Sequence, residues 1–312
     1  MKHPEILCVG ELLVDLLSTE YAPDFRSADT YRRYAGGSPA NLAMNLARLG
    51  QSVGLVATVG DDDAGELLRE AVADTGCDVS LIATAPDPTT LILVTKSRQV
   101  SNFEAYRSAD KYIAPEQFPE DYLAECRLFH TTAFALSRQP ARGSIMAAAA
   151  RVAAAGGRLS IDVNYAAKIW PNRLEALWVI SKYIALGGEG AGTLVKCSEV
   201  DYERLFDEPV EEVAEAAGSI LDLGAGVVCL TLGARGSYVV SEAGSFATPA
   251  RPVEVVDTTG AGDAFWSGFL AGYVNKLDWE DCALRGRAMA EQKLTTDGPL
   301  TTAISLDELR PE

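Results

Sequence analysis

The sequence predicts an α/β fold: a mostly parallel central β-sheet flanked by helices on both faces, with a small β-sheet lid outside it. Three observations predict it. Short apolar runs alternate with amphipathic helical segments almost from end to end. Runs such as Ile6–Val9 are apolar throughout, the pattern of strands covered on both faces. Two stretches break the beat, at about 11–34 and 89–107. The first is mostly polar, and the second alternates β-type residues without helical spacing, so these two are expected to form the lid.

Ile6–Val9 reads as the first strand and Val53–Val59 as another. Between them, Ser38-Pro39-Ala40-Asn41 opens a helix that runs to about Leu49. Ser38 suits the N-cap, Pro39 the first helical position and Gly50 the stop. Leu42, Leu46 and Leu49 share one helix face. A second helix is expected over Ala64–Ala73. Leu128–Thr131 reads as a strand, Arg142–Ala155 as an alanine-rich helix, and Arg158–Val163 and Val227–Leu232 as strands. Two helices close the chain, at about Gly262–Asn275 and Trp279–Leu294. Gly187-Gly188-Glu189-Gly190-Ala191-Gly192 fits neither G-x-G-x-x-G nor P-loop spacing and reads as a flexible loop. No repeat or Pro-rich linker interrupts the chain, so a single domain is expected over 1–312, with the lid segments inserted in it.

A chain of 312 residues buries enough surface to need no disulfide or metal staple. Its 27 basic residues against 44 acidic ones give a net charge of −17, which argues against nucleic acid or an anionic membrane as partner. A small anion can still bind where backbone amides converge. The six cysteines form no C-x-x-C pair and read as reduced, buried thiols, and two histidines leave no His-rich zinc site. No apolar run approaches the ~20 residues of a membrane span, and no leader-like apolar segment precedes Glu11 and Asp15, so a cytoplasmic location is expected.

The strongest chemical signal is Asp257-Thr258-Thr259-Gly260-Ala261-Gly262-Asp263-Ala264-Phe265. Its glycines allow a tight turn into a helix, and the unpaired amides and positive dipole end there form an anion site. Gly260, Ala261 and Gly262 can therefore stabilise charge building on a transferring phosphoryl group. Asp263 stands in the first turn, where a carboxylate either takes a proton from a substrate hydroxyl or simply complements the helix dipole. A second signal is Gly36-Gly37-Ser38-Pro39-Ala40-Asn41. The glycine pair lets a ligand approach the backbone, and Asn41 offers a polyol both a donor and an acceptor.

Together the two motifs resemble the PfkB (ribokinase-like) family of sugar kinases, in the right order and over the whole chain. Gly10-Glu11 and Asp15, Tyr106-Arg107 before Ser108-Ala109-Asp110, Asp162-Val163-Asn164 with Trp170-Pro171, and Thr231-Leu232-Gly233-Ala234-Arg235-Gly236 carry the likeness further. The Gly-Gly-Ser-Pro-Ala-Asn form and the Tyr-Arg-x-Ala-Asp stretch look most like its fructokinase branch. The resemblance implies a ribokinase-like fold and an ATP-dependent kinase, with fructose as the expected acceptor. Kinases for 2-keto-3-deoxygluconate, ribose or a nucleoside are the rivals, together with a non-catalytic binding homologue.

The resemblance implies roles residue by residue. Asp263 matches the catalytic base and Gly260, Ala261 and Gly262 the anion hole. Asp15, Gly36, Gly37 and Asn41 match the sugar side, Arg107 a lid arginine that reaches the sugar, and Asp162 and Asn164 further substrate contacts. Thr231, Gly233 and Gly236 match the ATP-side loop. Asp257 and Thr259 stand where members bind a monovalent cation, usually K⁺, and Mg²⁺ is expected with ATP. The usual N-x-x-E of the magnesium network appears as Ser198-Glu199-Val200-Asp201, with Asp201 left to act on Mg²⁺ through water. Ala166 replaces a common arginine, a charge that Lys168 is expected to supply on the ATP side, and Arg287 replaces an asparagine near the adenine pocket. Gly298-Pro299 stands for a terminal Gly-Ala. A homodimer is implied by lids that pair between subunits in homologues.

Overall fold

Every apolar run singled out above is a strand in the structure, a computed structural model. It describes residues 3–96, 102–188, 191–302, 304–306 and 308–309. In chain order the elements begin β1 (Ile6–Val9), β2 (Leu13–Ser18), β3 (Tyr31–Gly36), α1 (Ser38–Arg48), β4 (Val53–Gly60), α2 (Asp63–Ala73), β5 (Ile82–Ala85), β6 (Leu91–Thr95) and β7 (Asn102–Tyr106). Then come α3 (Glu120–Glu125), β8 (Leu128–Thr132), α4 (Ala141–Ala154), β9 (Arg158–Asp162), α5 (Arg173–Ala185), β10 (Thr193–Ser198), α6 (Glu199–Tyr202) and α7 (Val213–Leu221). The chain closes with β11 (Ala225–Thr231), β12 (Ser237–Ser241), β13 (Gly244–Thr248), α8 (Ala261–Val274) and α9 (Trp279–Leu294).

The large sheet has the order β13-β12-β11-β10-β9-β8-β1-β4-β5. From β11 to β5 all neighbours are parallel, while β12 and β13 add an antiparallel edge. Both faces are covered, as the continuous apolar runs require. In β1, Leu7 and Val9 pack into one core with Ile145 of α4, Val179 of α5 and Ile220 of α7. Ile6 and Cys8 point the other way, into a core with Leu46 of α1, Leu68 of α2, Phe269 of α8 and Met289 of α9. All six cysteines are free and buried.

The stretches that broke the rhythm form a separate four-stranded sheet, β3-β2-β6-β7. Its β2–β6 pair is parallel and its outer pairs antiparallel. Residues 97–101 of the second stretch, and Glu189 and Gly190 of the glycine-rich loop, lie outside the described residues. Among the described residues no helix is long and apolar enough to cross a membrane.

One local expectation is corrected. Gly37, not Ser38, is the N-cap of α1, with φ 100. A Cβ there would meet the Glu11 carbonyl oxygen at 2.3 Å, so glycine alone fits the turn. Ser38 enters the helix and its hydroxyl is free for another partner.

Candidate active site

The carboxyl ends of β9 and β10 meet the start of α8, where Lys196 lies beside Gly262, and Asp263 ties that start to α1, the position where open α/β sheets build their clefts. Gly260 caps α8 in the left-handed region, at φ 76, which the turn into the helix requires. The Ala261 amide donates to the Thr258 carbonyl at 3.2 Å, while the next amides of the first turn of α8, at Gly262 and Asp263, have no acceptor inside the helix. Asp263 projects from this turn. It accepts a hydrogen bond from Ser38 Oγ at 2.6 Å and another from Asn41 Nδ2 at 2.8 Å. The start of α1 therefore holds the carboxylate of α8, across more than two hundred residues of sequence.

Loss of solvent raises the Asp263 pKa to about 6, assisted by the charge of Asp162. Ser38, Asn41 and Lys196 work in the other direction. Asp15, from β2, is pushed up to about 7, first by desolvation and then by the Asp263 charge. Both neighbouring carboxylates are thus held above the ordinary aspartate value, chiefly by burial. Gly36 is what lets Asp15 sit here: a Cβ on Gly36 would lie 2.0 Å from Asp15 Oδ2. Glu11 supports the same corner from beneath. It accepts from Ser38 N at 3.2 Å and from Thr132 Oγ1 at 3.1 Å, and burial raises its pKa to about 8.

Two lysines complete the site, and neither was anticipated from sequence. Lys196 of β10 is buried and pairs with Asp162 Oδ2 at 2.7 Å. Burial alone would lower its pKa, yet Asp162, Asp201 and Asp263 raise it, so it is an ammonium at neutral pH. Its Nζ lies 3.2 Å from the point a Gly262 Cβ would occupy, beside the turn into α8. The available signal was a lone cation in the otherwise uncharged strand Thr193–Ser198. Lys293, in the last turn of α9, lies 3.2 Å from Asp257 Oδ2. Asp257 Oδ1 accepts from Thr259 N at 3.0 Å, and Gly298 N donates to Oδ2 at 3.3 Å. Burial opposes the Asp257 charge, but the Thr259 amide and Lys293 hold its pKa below the usual range. With both oxygens engaged and the charge balanced, Asp257 and Thr259 do not fit as ligands for an added K⁺.

Mg²⁺ fits better. Among the described residues Asp162 Oδ1 is buried with no hydrogen-bond partner, while its Oδ2 pairs with Lys196 beside the site. Asp201 stands near it, close enough for the Asp162 charge, after desolvation, to raise its pKa. Its Oδ2 accepts from Ser198 Oγ at 2.6 Å, as Ser198 and Asp201 form a capping box at the start of α6.

Other expected residues fall as follows. Asn164 follows β9 at φ 32, exposed at the strand's carboxyl end. Thr231 ends β11, and Gly233 and Gly236 flank the short turn after it, both at positive φ. Lys168, expected on the ATP side, is tied to the small sheet, donating to the Phe103 carbonyl and to Glu104 at 2.7 Å each. The loop after β9 passes under β7, so Glu104 neutralises it there. Arg107 is committed as well: its Nε donates to Asp110 Oδ2 at 2.9 Å, it bonds Ser137, and it stacks on Phe134. Arg287 donates to the Pro249 carbonyl. A cleft is lined by Asp15, Tyr34, Asn41, Arg48, Gly260 and Lys293, among others.

Comparison with known proteins agrees with this geometry. The profile of the pfkB family carbohydrate kinases matches residues 3–305. An ATP-dependent 6-phosphofructokinase from Thermoanaerobacterium thermosaccharolyticum is 32% identical over 309 residues, covering 99% of this chain and 94% of that protein. The aminoimidazole riboside kinase of Salmonella typhimurium is 29% identical, over 98% of this chain and 93% of its own. The structure of a sugar kinase from Pyrococcus horikoshii in complex with ATP superposes with a TM-score of 0.84 at 26% identity, covering 97% and 96% of the two chains.

Proposed function

The chain belongs to the pfkB family of carbohydrate kinases, and from that premise we propose that it transfers the γ-phosphoryl of ATP to a hydroxyl of a small sugar, with fructose as first acceptor. One observation carries the mechanism: Asp263, held by Ser38 and Asn41 at the amide-rich start of α8, beside Asp15 and the Lys196 ammonium. Asp263 is ionised at neutral pH and takes the proton of the attacking hydroxyl. Asp15 and Asn41 grip neighbouring hydroxyls and aim the nucleophile. The amides of Gly260, Ala261 and Gly262, with Lys196, face the charge that grows on the transferring group. Thr231, Gly233 and Gly236 line the ATP side, and Asn164 with Asp162 the junction between the two. Bound with ATP, Mg²⁺ offsets phosphate charge, and Asp162 Oδ1 and Asp201 would hold it through water. The small sheet is the lid that excludes water, which otherwise competes as acceptor. The reading extends to a homodimer.

A specific observation favours a second acceptor. Arg48 lines the cleft, and among the described residues its guanidinium makes one weak contact, 3.5 Å to Asn45 Oδ1. A half-buried guanidinium there suits a phosphate already on the sugar, as in the 6-phosphofructokinase relative. ADP release with ATP and Mg²⁺ tests both. The panel is fructose, fructose 6-phosphate, ribose, 2-keto-3-deoxygluconate and aminoimidazole riboside. Turnover on fructose that survives Arg48→Met supports the first reading. Turnover on fructose 6-phosphate that is lost in Arg48→Met supports the second, and no turnover on any of them removes both.

A further inference from the structure

The surroundings of Lys293 point to an ion-like role for its ammonium. The side chain runs from the last turn of α9 into the interior and is 4% exposed. Its Nζ lies 3.2 Å from Asp257 Oδ2, 3.2 Å from the Asp257 carbonyl and 3.2 Å from the Thr296 carbonyl. An ammonium has three donors, and here each has one oxygen. One carboxylate and two backbone carbonyls, converging on a single buried positive centre, are the hard oxygen ligands that an alkali-metal ion also takes. The other groups on Asp257 are the amides of Thr259 and Gly298, so the pair is neutral and its acceptors are engaged. A free cation entering the same place would face the ammonium directly.

The location gives the charge a task. Asp257 and Thr259 lead into Gly260, and Lys293 lines the same cleft as Gly260. Lys293 Cε passes 4.0 Å from the point a Gly260 Cβ would occupy. Whatever fixes Asp257 also fixes the turn that presents the α8 amides. We propose that Lys293 Nζ is a covalently tethered monovalent cation: it fills the place of K⁺ beneath the anion-binding turn, and so frees the protein from any requirement for added K⁺. This rests on the kinase reading for its catalytic consequence, but not for its structural one.

The test separates the two. Wild type is melted, and assayed for ADP release, in KCl, NaCl and tetramethylammonium chloride at equal ionic strength. Its melting temperature and rate are expected to be the same in all three. Lys293→Ala leaves room for an ion. It is expected to melt lower in tetramethylammonium chloride and to lose at least ~10-fold in kcat/KM there, with K⁺ or ammonium restoring both saturably. A wild-type rate or melting temperature that climbs with K⁺ would overturn the proposal, since a separate ion site must then exist. So would a folded Lys293→Ala that no cation rescues, because Lys293 would then be only half of a structural pair. If the variant does not fold, the wild-type salt series decides alone. If no sugar is phosphorylated in any salt, the kinase reading fails while the melting curves still decide the role of Lys293.

Discussion

Asp263 is fixed by two donors, one to each oxygen, and both donors come from the first turn of another helix. Such a carboxylate cannot rotate away from its target, which is what a positioned base requires. Asp263→Asn keeps the size and removes the basicity. Sugar binding should survive, while kcat falls by at least ~10²-fold. Titration calorimetry with the sugar, beside steady-state rates, reads the two separately, and a near-wild-type rate would remove Asp263 from the chemistry. Its pKa of about 6 gives a further expectation. The base works only when ionised, so kcat/KM should fall as pH drops through about 6, and a profile flat to pH 5 would contradict it. At this scale the sequence was unevenly informative. Asp263, Gly260 and Asn41 sit in dense local motifs and were legible. Lys196 and Lys293 were not, because each takes its meaning from an aspartate more than thirty residues away, Asp162 and Asp257.

The junction between β3 and α1 shows what one element contributes. β3 pairs with β2 so that Leu13 lies opposite Gly36 and Asp15 opposite Tyr34. The Asp15 carboxylate then folds back over the bare Cα of Gly36. Gly36→Ala puts a methyl 2.0 Å from Asp15 Oδ2, so either the carboxylate or the strand must yield. Overpacking of this kind costs about 1–3 kcal/mol. The displaced group is the proposed sugar ligand, so KM for the sugar should rise more than kcat falls. An unchanged KM with a lowered melting temperature would mean that Asp15 does not touch the sugar. The helix itself was legible: Pro39 and Gly50 bracket it, and leucine spacing marks its buried face. Its cap was not. Ser38 looks like an N-cap in sequence, yet Gly37 takes that place and the Ser38 hydroxyl donates to Asp263 instead.

At the scale of the whole molecule, the alternation of runs was enough to imply a parallel sheet with two covered faces. The order of strands was not readable, since adjacency in a sheet depends on crossovers rather than local composition. The antiparallel edge β12–β13 was missed because its strands are short and only partly buried. That order has a thermodynamic consequence. It brings Glu11, Asp15, Asp162, Asp201 and Asp263 to one end of the sheet in a chain already at −17. Asp15 and Glu11 have folded pKa values of about 7 and 8, raised chiefly by burial from ordinary values of 3.8 and 4.5. The folded state therefore holds protons that the unfolded chain has lost. The stability they contribute is fully present below their unfolded values and disappears as pH rises through 7 and 8. His130 acts oppositely, since burial lowers its pKa to about 3, but that effect is confined below its ordinary value of 6.5. Above the histidine range, from pH 6.5 to about 8, the two carboxylates dominate, and the melting temperature of the free protein should decline across that range. Scanning fluorimetry at constant ionic strength reads this directly, and a level or rising curve would refute the proton balance. Catalysis has the opposite slope at its acid limb, because Asp263 must be ionised. The carboxylate cluster that makes the site a base thus opposes the fold that carries it, and the working range should open just above pH 6.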